Sequence, residues 1–113
     1  MIRDAQRIDH MLDFVRRSRE IIDGIDDAAY RASRDKQELL ELNMLHLGEA
    51  AARTAESLRN AHPEIPWNEM IGVRNIIVHE YFRINPMVLY ETVIADFADL
   101  ERNLESLQKE FPL

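Results

Sequence analysis

The run Arg74-Asn75-Ile76-Ile77-Val78-His79-Glu80-Tyr81 sets an arginine, a histidine and a tyrosine within eight residues, with apolar side chains between the guanidinium and the imidazole. A guanidinium beside a phosphate neutralises charge that grows in a transition state, and an imidazole moves a proton near neutral pH. Together they point to phosphoryl chemistry. The competing reading is a surface arginine, a capping or core histidine and a half-buried tyrosine, a triplet that chance also produces. The elements that would have to position these side chains decide between the two.

A chain of 113 residues fits one domain, 1–113, large enough to bury a core without disulfides or structural metals. Its 46% hydrophobic content excludes a disordered tail, and only 3 Gly and 4 Pro favour long regular elements, that is, helices. With no cysteine, thiolate metal sites, cysteine nucleophiles and redox roles are excluded. The start, Met1-Ile2-Arg3-Asp4, runs into mixed charge without an apolar signal region, and no stretch reaches membrane-spanning length, so the expectation is a soluble, cytoplasmic protein. The net charge of -7 argues against a general nucleic-acid binder, which gains affinity from a basic face. Arg3, Arg7, Arg16, Arg17 and Arg19 are nonetheless available for a local basic strip, unless internal salt bridges use them.

Apolar residues at steps of three, four, three and seven, Ala5, Ile8, Leu12, Val15 and Ile22, predict a first helix over about 4–23 that Gly24 stops. A short helical turn is expected around 26–30, with Ser33 or Asp35 capping the next element. Leu40, Met44, Leu47, Ala51, Thr54 and Leu58 then predict one long helix over about 35–60, its stripe widened by Leu39, Leu42 and Leu45. Gly48 in its middle costs about 1 kcal/mol relative to alanine and, before Ala50-Ala51-Ala52, suggests that another helix approaches there. His46 and Glu49 share a face at i, i+3, but one such pair lacks the further ligands a metal site needs.

Pro63 and Pro66 separate that helix from a shorter one over about 67–79. Asn85-Pro86 heads a last long helix that ends near Phe111-Pro112 and carries Leu89, Val93, Phe97, Leu100, Leu104 and Leu107 on one stripe. Long helices with short connections predict an all-α antiparallel bundle of four to five helices, and the breadth of the stripes favours a homodimer. On a helix Arg74 and His79 lie about 140° apart. One copy therefore presents them poorly to a common phosphate unless Arg74 reaches around with its long side chain or the helix ends near His79, whereas two copies near a two-fold axis would supply both.

The series G-V-R-N-I-I-V-H-E-Y-F, with P-E-I-P-W upstream and L-G-E-A-A in the preceding helix, resembles the HEPN superfamily and within it the HepT-like toxins, over nearly the whole chain. The resemblance implies a homodimeric, metal-independent endoribonuclease that needs no cofactor and acts on transfer or messenger RNA. It would be the toxin of a type II toxin–antitoxin pair. By the same resemblance Arg74 and His79 are catalytic and Asn75 supports them. Tyr81 is the RNA-contacting tyrosine that an antitoxin of the minimal nucleotidyltransferase (MNT) type can adenylylate. The alternatives are a non-catalytic HEPN-type module that binds a nucleotide or dimerises beside a nucleotidyltransferase, and an ordinary structural bundle.

Overall fold

The computed structural model describes residues 3–111; Met1-Ile2 and the Pro112 expected at the end of the last helix lie outside them. The chain forms α1 (Asp4–Ile22), α2 (Asp27–Ala32), α3 (Arg34–Arg53), α4 (Glu56–Ala61), α5 (Trp67–His79) and α6 (Pro86–Lys109), with a 3-10 turn at Tyr81–Arg83 before α6. Among the described residues there is no strand, as the all-α expectation requires.

Local chemistry sets most boundaries. Gly24 turns the chain after α1 with φ +73°, in the left-handed region that glycine enters without a Cβ penalty. Asp26 caps α2 by accepting from the Ala29 N–H at 2.9 Å, and Ser33 caps α3 by accepting from the Lys36 N–H at 3.2 Å. Asn85 accepts from the Met87 N–H at 3.0 Å, with Pro86 in the first turn of α6.

The single helix expected over 35–60 is divided. The Thr54 hydroxyl donates to the Ala50 carbonyl at 2.9 Å, and Thr54 itself takes extended backbone, φ -69° and ψ 139°. The freed backbone groups are then taken up by α1: the Ala55 N–H donates to Asp4 at 3.3 Å, and Arg7 donates to the Arg53 carbonyl. A period of 3.6 in the sequence carries no sign of this, because Thr54 remains buried and Leu58 still packs on the core after the break.

The core lies between α1, α3 and α6, with Ile8, Met11, Leu12 and Val15 facing Leu40, Met44, Leu47 and Ala51, and Phe97, Leu100, Leu104 and Leu107 closing it. Burying each of these side chains other than Ala51 contributes roughly 1.5–3 kcal/mol. Direction is fixed by contacts at both ends. Lys36 at the start of α3 donates to the Ile21 carbonyl at the end of α1, while Arg53 at the end of α3 lies beside Arg7, so α1 and α3 run antiparallel. Gln108 meets Asp9 and Tyr90 meets the Ile25 carbonyl, so α6 is antiparallel to α1 as well. Leu39 and Leu42, expected to widen the α3 stripe, are instead about half exposed, at 50% and 48%.

The basic strip on α1 is spent internally. Arg16 pairs with Glu105 at 2.9 Å and Glu101 at 3.3 Å, Arg19 with Glu101 at 2.7 Å, and Arg17 with Asp13 at 3.0 Å. The Arg16 and Arg19 pairs tie α1 to α6 and the Arg17 pair stays within α1, so these cations do not form a nucleic-acid face. Burial alone would raise the Glu101 carboxyl, but its hydrogen bonds and charge contacts with Arg19 and Arg16 outweigh this and hold it below the usual carboxylate range.

Tyr30 is fully buried against Tyr90, with ring centroids 4.9 Å apart, and its hydroxyl has no hydrogen-bond partner among the described residues. Burial, reinforced by the charge of Glu41, pushes its phenol up to about 12. The raised value means that the unfolded chain ionises Tyr30 first, from its ordinary value near 10. The stability that neutral Tyr30 carries is therefore whole below pH 10 and is lost as pH rises toward 12. Tyr30→Phe removes the orphan hydroxyl, and the expected gain is about 1 kcal/mol at pH 7, widening between pH 10 and pH 12. Urea unfolding at pH 7 and pH 11 reads this; a loss of stability at pH 7 would show that the hydroxyl has a partner.

Candidate active site

The short helix α5 carries the Arg74 to His79 series, and three features place it. Trp67 Nε1 donates to the His62 carbonyl at 2.9 Å, which ties the proline-rich entry to the start of the helix. Met70 and Ile77 bury one side of α5 against the bundle. Gly48 of α3 lets the two helices approach: a Cβ built there would fall on the Arg74 Cβ and 2.6 Å from the Met70 carbonyl oxygen. The close approach expected at Gly48 is thus the contact that seats Arg74.

Arg74 leaves α5 directly over α3. Its Nε donates to Glu49 Oε1 at 2.9 Å and its Nη1 to Asn75 Oδ1 at 2.8 Å. The other Glu49 oxygen lies 3.7 Å from Arg53. The guanidinium is partly buried and held on two sides, while Nη2 makes no hydrogen bond among the described residues. An arginine fixed this way presents one edge to an incoming oxyanion without first having to be ordered.

His79 is the last residue of α5, exposed, and without a hydrogen-bond partner among the described residues. Glu80 then leaves the helical region at φ -144° and pairs with Arg83 at 2.9 Å, so it does not serve the imidazole. The helix does not run on to Tyr81, and the alignment of Arg74 with Tyr81 that a continuous helix would give is absent. Tyr81 opens the 3-10 turn and is 72% exposed, edge-on to Phe82 with centroids 6.2 Å apart.

Of the four residues singled out in the sequence, Arg74 and Asn75 are joined directly, whereas His79 and Tyr81 stand apart at the end of α5. Asn75 meets Arg74, and no hydrogen bond joins it to His79. Two participants escaped the sequence reading. Glu49, weighed there only as a metal partner of His46, is the carboxylate that orients Arg74, and His46 instead stacks on Phe14 at 5.2 Å. Phe82, 76% exposed, makes Tyr81 one of a pair of outward aromatics. The signal for Glu49 was its place beside Gly48, the residue that marks the α3–α5 contact.

An all-α bundle whose short penultimate helix displays a braced arginine and an open histidine defines the class to which comparison with known proteins should lead. The family described as ribonuclease HepT-like matches residues 11–107, and the chain belongs to that family, within the HEPN superfamily. A protein of Thermococcus cleftensis named "Probable ribonuclease HepT" is 38% identical over 63 residues, 56% of this chain and 57% of its own length. A relative from Caldanaerobacter subterraneus subsp. tengcongensis, whose name begins "Putative RNase", is 37% identical over 65 residues, 57% of this chain and 58% of its own. The chain thus spans a little over half the length of these curated relatives. A third, from Methanocaldococcus jannaschii and with the same opening words in its name, is 26% identical over 103 residues, 88% of this chain and 85% of its own. No solved structure matches the chain.

Proposed function

We propose that this chain is an endoribonuclease and the toxin of a type II toxin–antitoxin pair. The observation that carries the reading is the pairing of a braced, half-open Arg74 with an unpartnered His79 in a chain of the ribonuclease HepT-like family. In this reading His79 takes the proton of a ribose 2′-hydroxyl, the oxygen attacks the adjacent phosphorus, and the bond to the 5′ oxygen breaks, the leaving oxygen taking a proton from water. The products are a 2′,3′-cyclic phosphate and a 5′-hydroxyl end. Arg74 meets the non-bridging oxygens as their charge grows, and Asn75 and Glu49 keep it in place. Proton transfer and charge stabilisation are both supplied by side chains, so the step requires no metal.

Two copies complete the site. On α5 the Arg74 and His79 side chains diverge by about 140°, and a two-fold axis near the end of α5 would set the arginine of one protomer against the histidine of the other. Tyr81 and Phe82 follow His79 in the chain as exposed aromatics on which RNA bases can stack. Tyr81 is also open to a modifying enzyme: adenylylation by an MNT-type antitoxin would add bulk and negative charge where RNA must pass, and so silence the toxin.

The test is direct. Purified protein is expected to cleave total cellular RNA in the presence of EDTA, leaving cyclic-phosphate ends, and to arrest growth when expressed alone. Co-expression with an MNT-type nucleotidyltransferase encoded beside it is expected to raise the intact mass by adenylyl groups that map to Tyr81 and are lost in Tyr81→Phe. A second reading, a non-catalytic HEPN module that pairs with a nucleotidyltransferase, is favoured by the net charge of -7 and by the internal pairing of Arg16, Arg17 and Arg19. Intact RNA after prolonged incubation, with the complex still forming, selects that reading.

A further inference from the structure

α5 and α6 are joined through the 3-10 turn but are barely in contact along their lengths. Between them lies a cavity of about 440 Å³, floored by Met44 and Leu47 of α3 and walled by Met70 and Val73 on one side and Phe97 and Leu100 on the other. Its rim is acidic, with Glu64, Glu69, Asp96 and Asp99, and no lysine or arginine lines it. Glu64 is answered by His62 at 3.1 Å and Asp99 by Arg102, whereas Glu69 and Asp96 make no ion pair among the described residues. One end is closed where Asn103 Nδ2 donates to the Glu64 carbonyl at 3.5 Å. From there to Thr92 the α6 wall runs about 16 Å, three helical turns. None of Arg74, Asn75, His79 and Tyr81 lines the cavity.

We propose that this cavity docks a basic amphipathic segment of a protein partner, which places one or two large apolar side chains between α5 and α6 while its lysines or arginines meet Glu69 and Asp96. The volume falls in the range of ligand pockets and suits isolated apolar anchors rather than a whole helix sunk to its axis. The length matches the i, i+3, i+4 and i+7 anchors of a three-turn helix laid along a groove. The charge selects among occupants. RNA would bring phosphates to an acidic rim. A second copy of this chain would bring a net charge of -7 to the same acidic rim. The proposal does not rest on the ribonuclease reading.

Methionine methyls report the site without altering it. Met44 and Met70 line the cavity, whereas Met11 is wholly buried elsewhere and Met87 lies outside the lining. The full chain, labelled with [13C-methyl]methionine, is titrated with a three-turn Lys/Leu amphipathic peptide. The controls are a Glu/Leu twin, a Lys/Ala twin and an oligouridine. The Lys/Leu peptide is expected to shift Met44 and Met70 and to leave Met11 in place, with affinity that falls as salt rises. The Glu69→Lys/Asp96→Lys variant, changed only at exposed positions, is expected to bind at least about tenfold more weakly. A Glu20→Lys/Asp35→Lys variant of equal net charge is expected to bind as wild type does. The proposal fails if the Lys/Leu peptide leaves Met44 and Met70 unmoved, if the Glu/Leu or Lys/Ala twin moves them as far, if both charge variants weaken binding alike, or if oligouridine produces the shifts.

Discussion

Replacing Gly48 with alanine is expected to destabilise the protein by about 2 kcal/mol, the scale of an overpacked core, although the same change in an open helix stabilises by about 1 kcal/mol. The added Cβ would fall on the Arg74 Cβ and 2.6 Å from the Met70 carbonyl oxygen. Neither is the tip of a flexible side chain, so α5 must move as a body. The displacement would also separate Arg74 from Glu49, now 2.9 Å away. Gly72 supplies the control. It lies in the middle of α5 with no atom within 4 Å of a built Cβ, so Gly72→Ala is expected to raise stability by up to about 1 kcal/mol. Urea midpoints of the two variants should move in opposite directions at unchanged m-values. If both rise, α3 and α5 are not in close contact, and the placement of Arg74 over Glu49 loses its support.

Gly48 also shows what was legible in the sequence. The helices that bury a broad stripe, α1, α3 and α6, follow from steps of three and four, because the same spacing that marks the sequence makes the core. Asn85-Pro86 and Gly24 mark their ends through φ preferences that belong to single residues. The break at Thr54 was hidden because it depends on a partner distant in sequence: Asp4 and Arg7 of α1 satisfy the backbone groups that the kink releases. Leu39 and Leu42 misled in the opposite way, since an apolar residue on the edge of a stripe packs only if a neighbour covers it. At the site, residue types announced Arg74 and His79, but Glu49 acts through a contact across 25 positions that no local pattern encodes.

Arg74→Ala and His79→Ala are each expected to reduce RNA cleavage by a factor of about 100 to 1,000, the usual cost of losing a charge-stabilising donor or a proton-transfer group, and to abolish growth arrest. Neither side chain carries the core, so folding should persist, checked by circular dichroism, with the urea midpoint unchanged for His79→Ala and slightly lowered for Arg74→Ala, which loses its pairing with Glu49. The informative experiment combines the two inactive chains. If the arginine of one protomer works with the histidine of the other, a hybrid dimer holds one intact pair and one pair lacking both groups. Random exchange makes half of the dimers hybrids, so a mixture should recover about a quarter of wild-type activity. If each protomer uses its own Arg74 and His79, every site in the hybrid lacks one group and the mixture stays inactive. The geometry of α5 favours recovery: Arg74 is turned onto α3 and held by Glu49, while His79 points away from it at the end of the helix. A mixture that stays inactive after exchange has been verified by mass spectrometry would overturn the shared site and leave an Arg74 that must release Glu49 to reach its own histidine's substrate.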